Sequence, residues 1–139
     1  YLKYDCVDGE SKDKGHKDQI DILAWSWGTG KAGNVGGGGC GGVERKPLVL
    51  TKFVDSTSPV FARLAESCGT QAEAVFEVEI GSDPSSNPPV RRVMRIRMRD
   101  VQVTGVEMGG IDGDDVPTET LTLNSEEVEV EIVEIGRGR

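Results

Sequence analysis

The sequence has little of what catalytic and cofactor sites are usually built from. It holds one histidine, His16, and three cysteines, Cys6, Cys40 and Cys68, among 139 residues. The cysteine number is odd and no CxxC pair occurs, so neither a disulfide framework nor a zinc site is expected. Nothing in the sequence places a nucleophile beside His16, so a Ser-His-Asp or Cys-His centre rests on that imidazole alone. No apolar run approaches the ~18 residues of a membrane-spanning helix. No basic segment leads into an apolar one, as a signal peptide would require, and the chain opens Tyr1-Leu2-Lys3-Tyr4 without a methionine, as a trimmed start would. Positive charge is also short. Against 24 Asp and Glu there are 16 Lys and Arg, a net charge of −8 that argues against nucleic acid or an anionic membrane as the main partner. No cofactor, metal or membrane insertion is expected.

What is present is alternation. With 36% hydrophobic and 29% charged residues, positions 1–139 read as a single domain able to bury a core without staples. Tyr1 to Val7 is a short strand candidate, followed by the charged loop DGESKDKGHKDQ. Ile20 to Trp27 is apolar on both faces, as in a strand covered on both sides. Period two sends Trp25 and Trp27 to one face, where each indole can bury about 150–250 Å² in the core. Ser26 then points outward beside Ala24 and Ile22. Pro47 to Val54 is the next strand. A helix over 58–68 follows, with Ser58 as N-cap, Pro59 in its first turn and Cys68-Gly69 as the stop. Ala74 to Ile80 alternates as a half-buried strand, and Ser82 to Pro89 is a Pro/Ser loop. Cys6 and Cys68 lie near apolar residues and read as small core residues, whereas Cys40 lies in a glycine run and reads as exposed.

Two long strands close the chain, Val90 to Met108 and Thr118 to Ile135, joined by GGIDGDDVP, with Gly136 to Arg139 as a frayed tail. Arg95, Arg97 and Arg99 alternate with Met94, Ile96 and Met98, while Glu127, Glu129 and Glu131 alternate with Val128, Val130 and Ile132. One antiparallel register pairs Arg95 with Glu131, Arg97 with Glu129 and Arg99 with Glu127, and stacks the apolar residues on each other. A slip of one residue sets charge against apolar side chains, so the ladder selects register. Such a ladder is a solvated face before it is a binding site. Further along, Val101, Val103, Leu121 and Leu123 fall on the face that carried the charges. That switch predicts cover on opposite faces at the two ends of the hairpin, from a crossing between sheets or from a neighbouring subunit.

Gly28-Thr29-Gly30-Lys31-Ala32-Gly33 spells G-x-G-x-x-G after a strand. A dinucleotide site needs a helix next, and NVGGGGCGG cannot form one without prohibitive cost. A P-loop ending in Gly30-Lys31 would need glycine at 25 and Ser or Thr at 32, where Trp25 and Ala32 stand. Asp112-Gly113-Asp114-Asp115 lacks the ligand spacing and closing Glu of an EF-hand and reads as a turn. The glycine segment is therefore a long loop between strands, and loops of that kind are usually functional or disordered. Residues Gly33, Asn34, Val35, Gly36, Gly37, Gly38, Gly39 and Cys40 are expected to leave the domain and contact a neighbouring subunit or ring.

GESKDKGHKDQIDILAWSWG, from Gly9 to Gly28, closely resembles the haemolysin-coregulated protein (Hcp) family, as do the glycine loop, LTKFVDSTSP before the helix, and the closing pair of long strands. The resemblance covers most of the chain. It implies a mainly-β domain, a small β-barrel or two-sheet sandwich with one flanking helix at about 58–68 and an extended glycine-rich loop. It implies a non-enzymatic subunit that closes into homohexameric rings, stacked as the inner tube of the bacterial type VI secretion system. The implied partners are effector proteins in the lumen, a valine–glycine repeat spike protein and a contractile sheath, with assembly in the cytoplasm and export from the cell. In such a ring Ser26, Ala24 and Ile22 would face the lumen. The competing readings are a monomeric ligand-binding β-barrel and a hydrolase using His16; particle size separates the ring-forming subunit from the monomeric barrel.

Overall fold

Alternating sequence becomes strand along most of the chain. The computed structural model describes residues 1–31, 43–67, 69–83, 85–87, 90–113 and 116–136. Its strands are β1 (Leu2–Tyr4), β2 (Ala24–Ser26), β3 (Thr29–Lys31), β4 (Val43–Arg45), β5 (Leu48–Phe53), β6 (Gln71–Asp83), β7 (Val90–Gly109) and β8 (Thr118–Gly136), with the helix α1 (Ser58–Glu66) between β5 and β6. The expected mainly-β chain with one flanking helix is what forms. Its layout is one antiparallel six-stranded sheet, in the order β1-β6-β7-β8-β5-β2, and a separate two-stranded ribbon of β3 and β4. The two margins of the sheet are linked by one segment: Ile20 bridges Leu2 of β1, while Ala24–Ser26 pairs with β5. A barrel-like core is thus enclosed by a sheet that keeps two edges.

The core lies between the walls of this curved sheet and beneath α1. Leu2, Ile20, Leu48, Leu50, Phe61 and Leu121 are fully buried within it. Phe61 carries α1 onto the sheet and meets Tyr4 edge-on at 5.3 Å. Burying a phenylalanine of this kind stabilises by about 1.5–3 kcal/mol, and burial also pushes the Tyr4 phenol up to about 12.

The β7–β8 hairpin has the expected register: Arg95 opposes Glu131, Arg97 opposes Glu129 and Arg99 opposes Glu127. The switch of apolar parity has a different cause from the one expected. Ile96 and Met98 belong to the same core as Val101 and Val103. Between them Asp100 takes a left-handed conformation, φ 52, which turns the strand about its own axis. Pairing resumes with Val101 opposite Ser125, so both strands change phase together and no second covered face is needed.

Several local expectations are corrected. Ser58 is not the N-cap; Thr57 is, without a side-chain capping bond, and the helix ends at Glu66. Ser58 is instead buried, its hydroxyl directed to Glu119. Cys6 is exposed, at φ 64, and is not a core residue. The strand expected over Ile20–Trp27 shrinks to Ala24–Ser26, because the chain bends at Leu23. The ribbon, unexpected from the sequence, flanks the glycine segment; Gly33, Asn34, Val35, Gly36, Gly37, Gly38, Gly39 and Cys40 lie outside the described residues, as does Cys68.

Candidate functional site

Opposed residues of an antiparallel pair carry their side chains on the same face. The pairings therefore define an outward surface across four strands. In one row Ser26 opposes Val49, Val49 opposes Thr122, and Thr122 opposes Gly105; in the next Ala24, Thr51, Thr120 and Glu107 follow one another. Ala24 and Ser26 are exposed, and Val49, Thr51, Thr120 and Thr122 are half-buried. Beside them the Asn124 amide donates to the Thr104 hydroxyl at 2.7 Å. The surface is built of methyls and short hydroxyls, with Glu107 its only charge along these two rows. It can offer weak hydrogen bonds and apolar contact to many shapes, without long side chains that would select one.

Ile22 does not join that surface. The bend at Leu23 interrupts period two, and Ile22 packs against the core. The indoles also differ from expectation. Trp27 is half-buried against the core, but Trp25 stays 41% exposed because β2 is a sheet margin. Its ring leans on Phe76 at 5.4 Å.

Beneath the outward face lies a charge network that the sequence reading missed. Lys52 of β5 opposes Glu119 of β8, and both side chains are fully buried and joined by a salt bridge. The Lys52 ammonium also donates to Asp55 Oδ1 at 2.9 Å and to the Phe53 carbonyl at 2.8 Å. Ser58 Oγ donates to Glu119 Oε1 at 2.7 Å. Burial raises the Asp55 carboxyl, but the bonds from Thr57 and Lys52 outweigh it and hold the group below its ordinary value. A signal was available: Lys52 continues the inward phase of Leu48 and Leu50, and Glu119 that of Leu121 and Leu123. Opposite charges ending two apolar alternations mark a buried pair.

On the far half of the hairpin the outward face is charged. Arg95 takes Glu77 of β6 at 2.7 Å and sits 3.9 Å from Glu131. Arg97 reaches diagonally to Glu131 at 3.3 Å, although its register partner is Glu129. Arg99 lies 3.7 Å from Glu127. Strand register and ion pairing thus part company at Arg97.

His16, the one imidazole, docks the charged loop onto this face. It is 6% exposed, with Nδ1 2.8 Å from Asp13, Nε2 3.0 Å from Glu77, and its ring stacked on Tyr1 at 3.9 Å. Both ring nitrogens are taken by carboxylates, so the imidazole is committed to structure. Burial raises the Glu77 carboxyl, while Arg95 and His16 lower it further, and the net direction is down. The loop closes through Gly9, whose N–H donates to the Asp18 carbonyl at 2.7 Å; a Cβ at Gly9 would overlap the Gln19 carbonyl. Among the described residues no cluster of His, Cys, Asp and Glu is arranged to hold a metal, and no helix is long and apolar enough to cross a membrane.

Comparison with known proteins gives consistent matches. The family described as "Type VI secretion system effector, Hcp" matches residues 1–132. Protein hcp1 of Pseudomonas aeruginosa is 34% identical over 134 residues, which are 94% of this chain and 80% of that protein. A solved type six secretion system protein superposes with a TM-score of 0.79 at 27% identity, covering 94% of this chain and 80% of its own. A type VI secretion system effector from Yersinia pestis gives 0.71 at 19% identity, covering 98% of each chain, a likeness of fold.

Proposed function

The chain belongs to the Hcp family and is a structural subunit of the type VI secretion system, and from that premise we propose that it forms homohexameric rings stacked into an inner tube. The outward surface of Ser26, Ala24, Val49 and the β8 threonines lines the lumen. Effector proteins travel inside, a valine–glycine repeat spike protein caps the tube, and a contractile sheath expels it from the bacterial cytoplasm. The glycine segment 33–42, carried by the ribbon, makes the contact between rings.

The observation that supports this reading is the outward surface itself. A sheet face of methyls and short hydroxyls is suited to holding varied cargo loosely. Nothing on it is arranged for bond-making chemistry. Negative-stain imaging and sedimentation of the purified chain test the assembly: annular particles are expected, and a sole species at 14.9 kDa would favour a monomeric binding module. Ser26→Gln tests the lumen. The exposed position tolerates the longer side chain, so folding and rings persist while co-purified effector falls. Unchanged effector in an intact ring removes Ser26 from the cargo surface.

A further inference from the structure

Past the two rows of the outward surface, towards the β7–β8 turn, lies a third. Phe53, the last residue of β5, opposes Thr118 of β8, and Thr118 opposes Gly109 of β7. Thr118 and Gly109 are exposed, and Phe53 is 48% exposed. Resting on the reading of this surface as the cargo face, we propose that Phe53 is its apolar anchor, which receives an apolar side chain of the exported protein.

Phe53 is singled out by its place in the sheet. Among the described residues other large apolar side chains are exposed, but they stand elsewhere. Trp25 opposes the buried Leu50, Met108 the buried Glu119 and Val130 the buried Ile96, so these three follow the inward phase. Ile132 does the same opposite Met94, which packs against the core. Leu23 lies at the bend, Ile80 at the register shift of β6, and Ile111 and Val116 in the turn. Phe53 alone continues the outward phase of Val49 and Thr51, on a strand that lies between two others. A half-exposed phenyl ring on a wall of hydroxyls and methyls gains by burying its remaining face against another apolar group. An ionic side chain laid there would lose water and meet no opposite charge in the row.

The site is also open and rigid. In the register of β2 and β5, where Ala24 opposes Thr51, Ile22 is due opposite Phe53. The bend at Leu23 carries Ile22 to the core instead, so β2 places no side chain opposite the ring. Further along the row, a Cβ at Gly109 would meet nothing within 4 Å. The backbone is held on both sides of the anchor. The buried Lys52 ammonium donates to the Phe53 carbonyl at 2.8 Å, and the Val54 N–H donates to the Pro117 carbonyl at 3.0 Å. The strand end that presents the ring is thus fixed before cargo arrives, and little ordering is needed on binding.

The probes are two short peptides of uncharged residues with blocked ends and the same label. One holds two leucines among glycine and serine, the other has serine in their place, and each is titrated into the full chain by fluorescence polarisation. The leucine peptide is expected to bind about tenfold more tightly. Phe53→Thr matches the neighbouring threonines on an exposed strand position, keeps the fold by circular dichroism, and should remove most of that preference. Phe53→Leu should retain most of it. Ile132→Thr, which trims an exposed apolar side chain away from this face, should leave it unchanged. A preference unaffected by Phe53→Thr, or lost equally in Ile132→Thr, overturns the anchor. So does loss of rings in Phe53→Thr under negative stain, which would make the phenyl ring a contact between copies of this chain. Images of the wild-type chain separate the anchor from the parent reading. Rings without a Phe53-dependent preference sink the anchor alone; such a preference in a chain that never forms rings keeps the contact and sinks the tube.

Discussion

The two halves of the β7–β8 hairpin belong to one pair of strands, whose register shifts by one residue between Val103 and Gly105, and they differ in nearly everything else. In the half next to the turn, Val101, Val103, Leu121 and Leu123 face inward with the buried Lys52–Glu119 pair, and the outside is mostly threonine and glycine, with Glu107 the one charge in the two rows described. In the far half, Ile96 and Met98 face inward and the outside is an Arg/Glu ladder. Charge is thus inside at one end and outside at the other. The change occurs at Asp100, the residue with positive φ, which lies between the pairs Arg99–Glu127 and Val101–Ser125. One left-handed residue lets a single pair of strands serve two walls of one core. It also gives them two chemically distinct outer surfaces, a bland one of threonine and glycine and a charged one held to the loop through His16.

The largest effect should come from breaking the buried pair. Lys52→Met leaves Glu119 charged and uncompensated in the core, and changes of this kind cost about 3–5 kcal/mol. The urea midpoint should fall accordingly. Combining Lys52→Met with Glu119→Leu removes both charges, and the double variant should recover most of the loss, because apolar replacement of a buried pair is often neutral or stabilising. A double variant no better than the single one would mean that Asp55 and Ser58, which share the network, hold the turn before α1 in a way charge balance alone does not explain.

The next effect, intermediate in size, tests the device that divides the halves. Asp100 sits at φ 52, where aspartate is tolerated and β-branched residues are not. Asp100→Val should destabilise by roughly 1–2 kcal/mol, while Asp100→Gly should be neutral or raise the melting temperature. If valine is accepted at no cost, the phase change is set by the packing of Val101 and Ile96 and not by the backbone at this residue.

The same contrast explains what could be read from the sequence. The far half was legible because its signal is strict alternation in both strands, and only one register satisfies Arg97, Glu129 and their apolar neighbours together. The helix was legible from Pro59 and the spacing of Phe61, although its cap was not, since Ser58 is drawn away by Glu119. The phase change was visible but misassigned. Alternation records which face a residue takes relative to its neighbours, and carries no mark of a single left-handed φ at Asp100. Ile22 was misplaced for a related reason, the bend at Leu23. The ribbon escaped notice because three-residue strands such as Thr29–Lys31 are too short to alternate. Of the outward surface proposed to meet cargo, the exposure of Ser26 and Ala24 could be read locally. Val49, Thr120 and Thr122 reach it only through pairing between distant parts of the chain.

The smallest effect is expected on the charged ladder, and it completes the comparison. Arg97 is 39% exposed at its side chain and lies between Val75 on β6 and Glu129 on β8, with its ion pair directed to Glu131. Arg97→Glu sets like charges opposite one another, a change worth about 0.2–1 kcal/mol in an antiparallel pair. Adding Glu129→Arg restores opposite signs across the strands and should return part of that loss. It cannot return all of it, because Glu131 then faces the new carboxylate along the diagonal. Both effects should shrink in about 1 M salt, where screening acts within roughly 3 Å, whereas the loss from Lys52→Met should persist because that pair is shielded from solvent. A ladder variant that costs as much as the buried one, or that ignores salt, would place the far half's stability in its charges. A loss below about 1 kcal/mol that fades with salt leaves Ile96 and Met98 as what holds that half, with the charges choosing which residues meet.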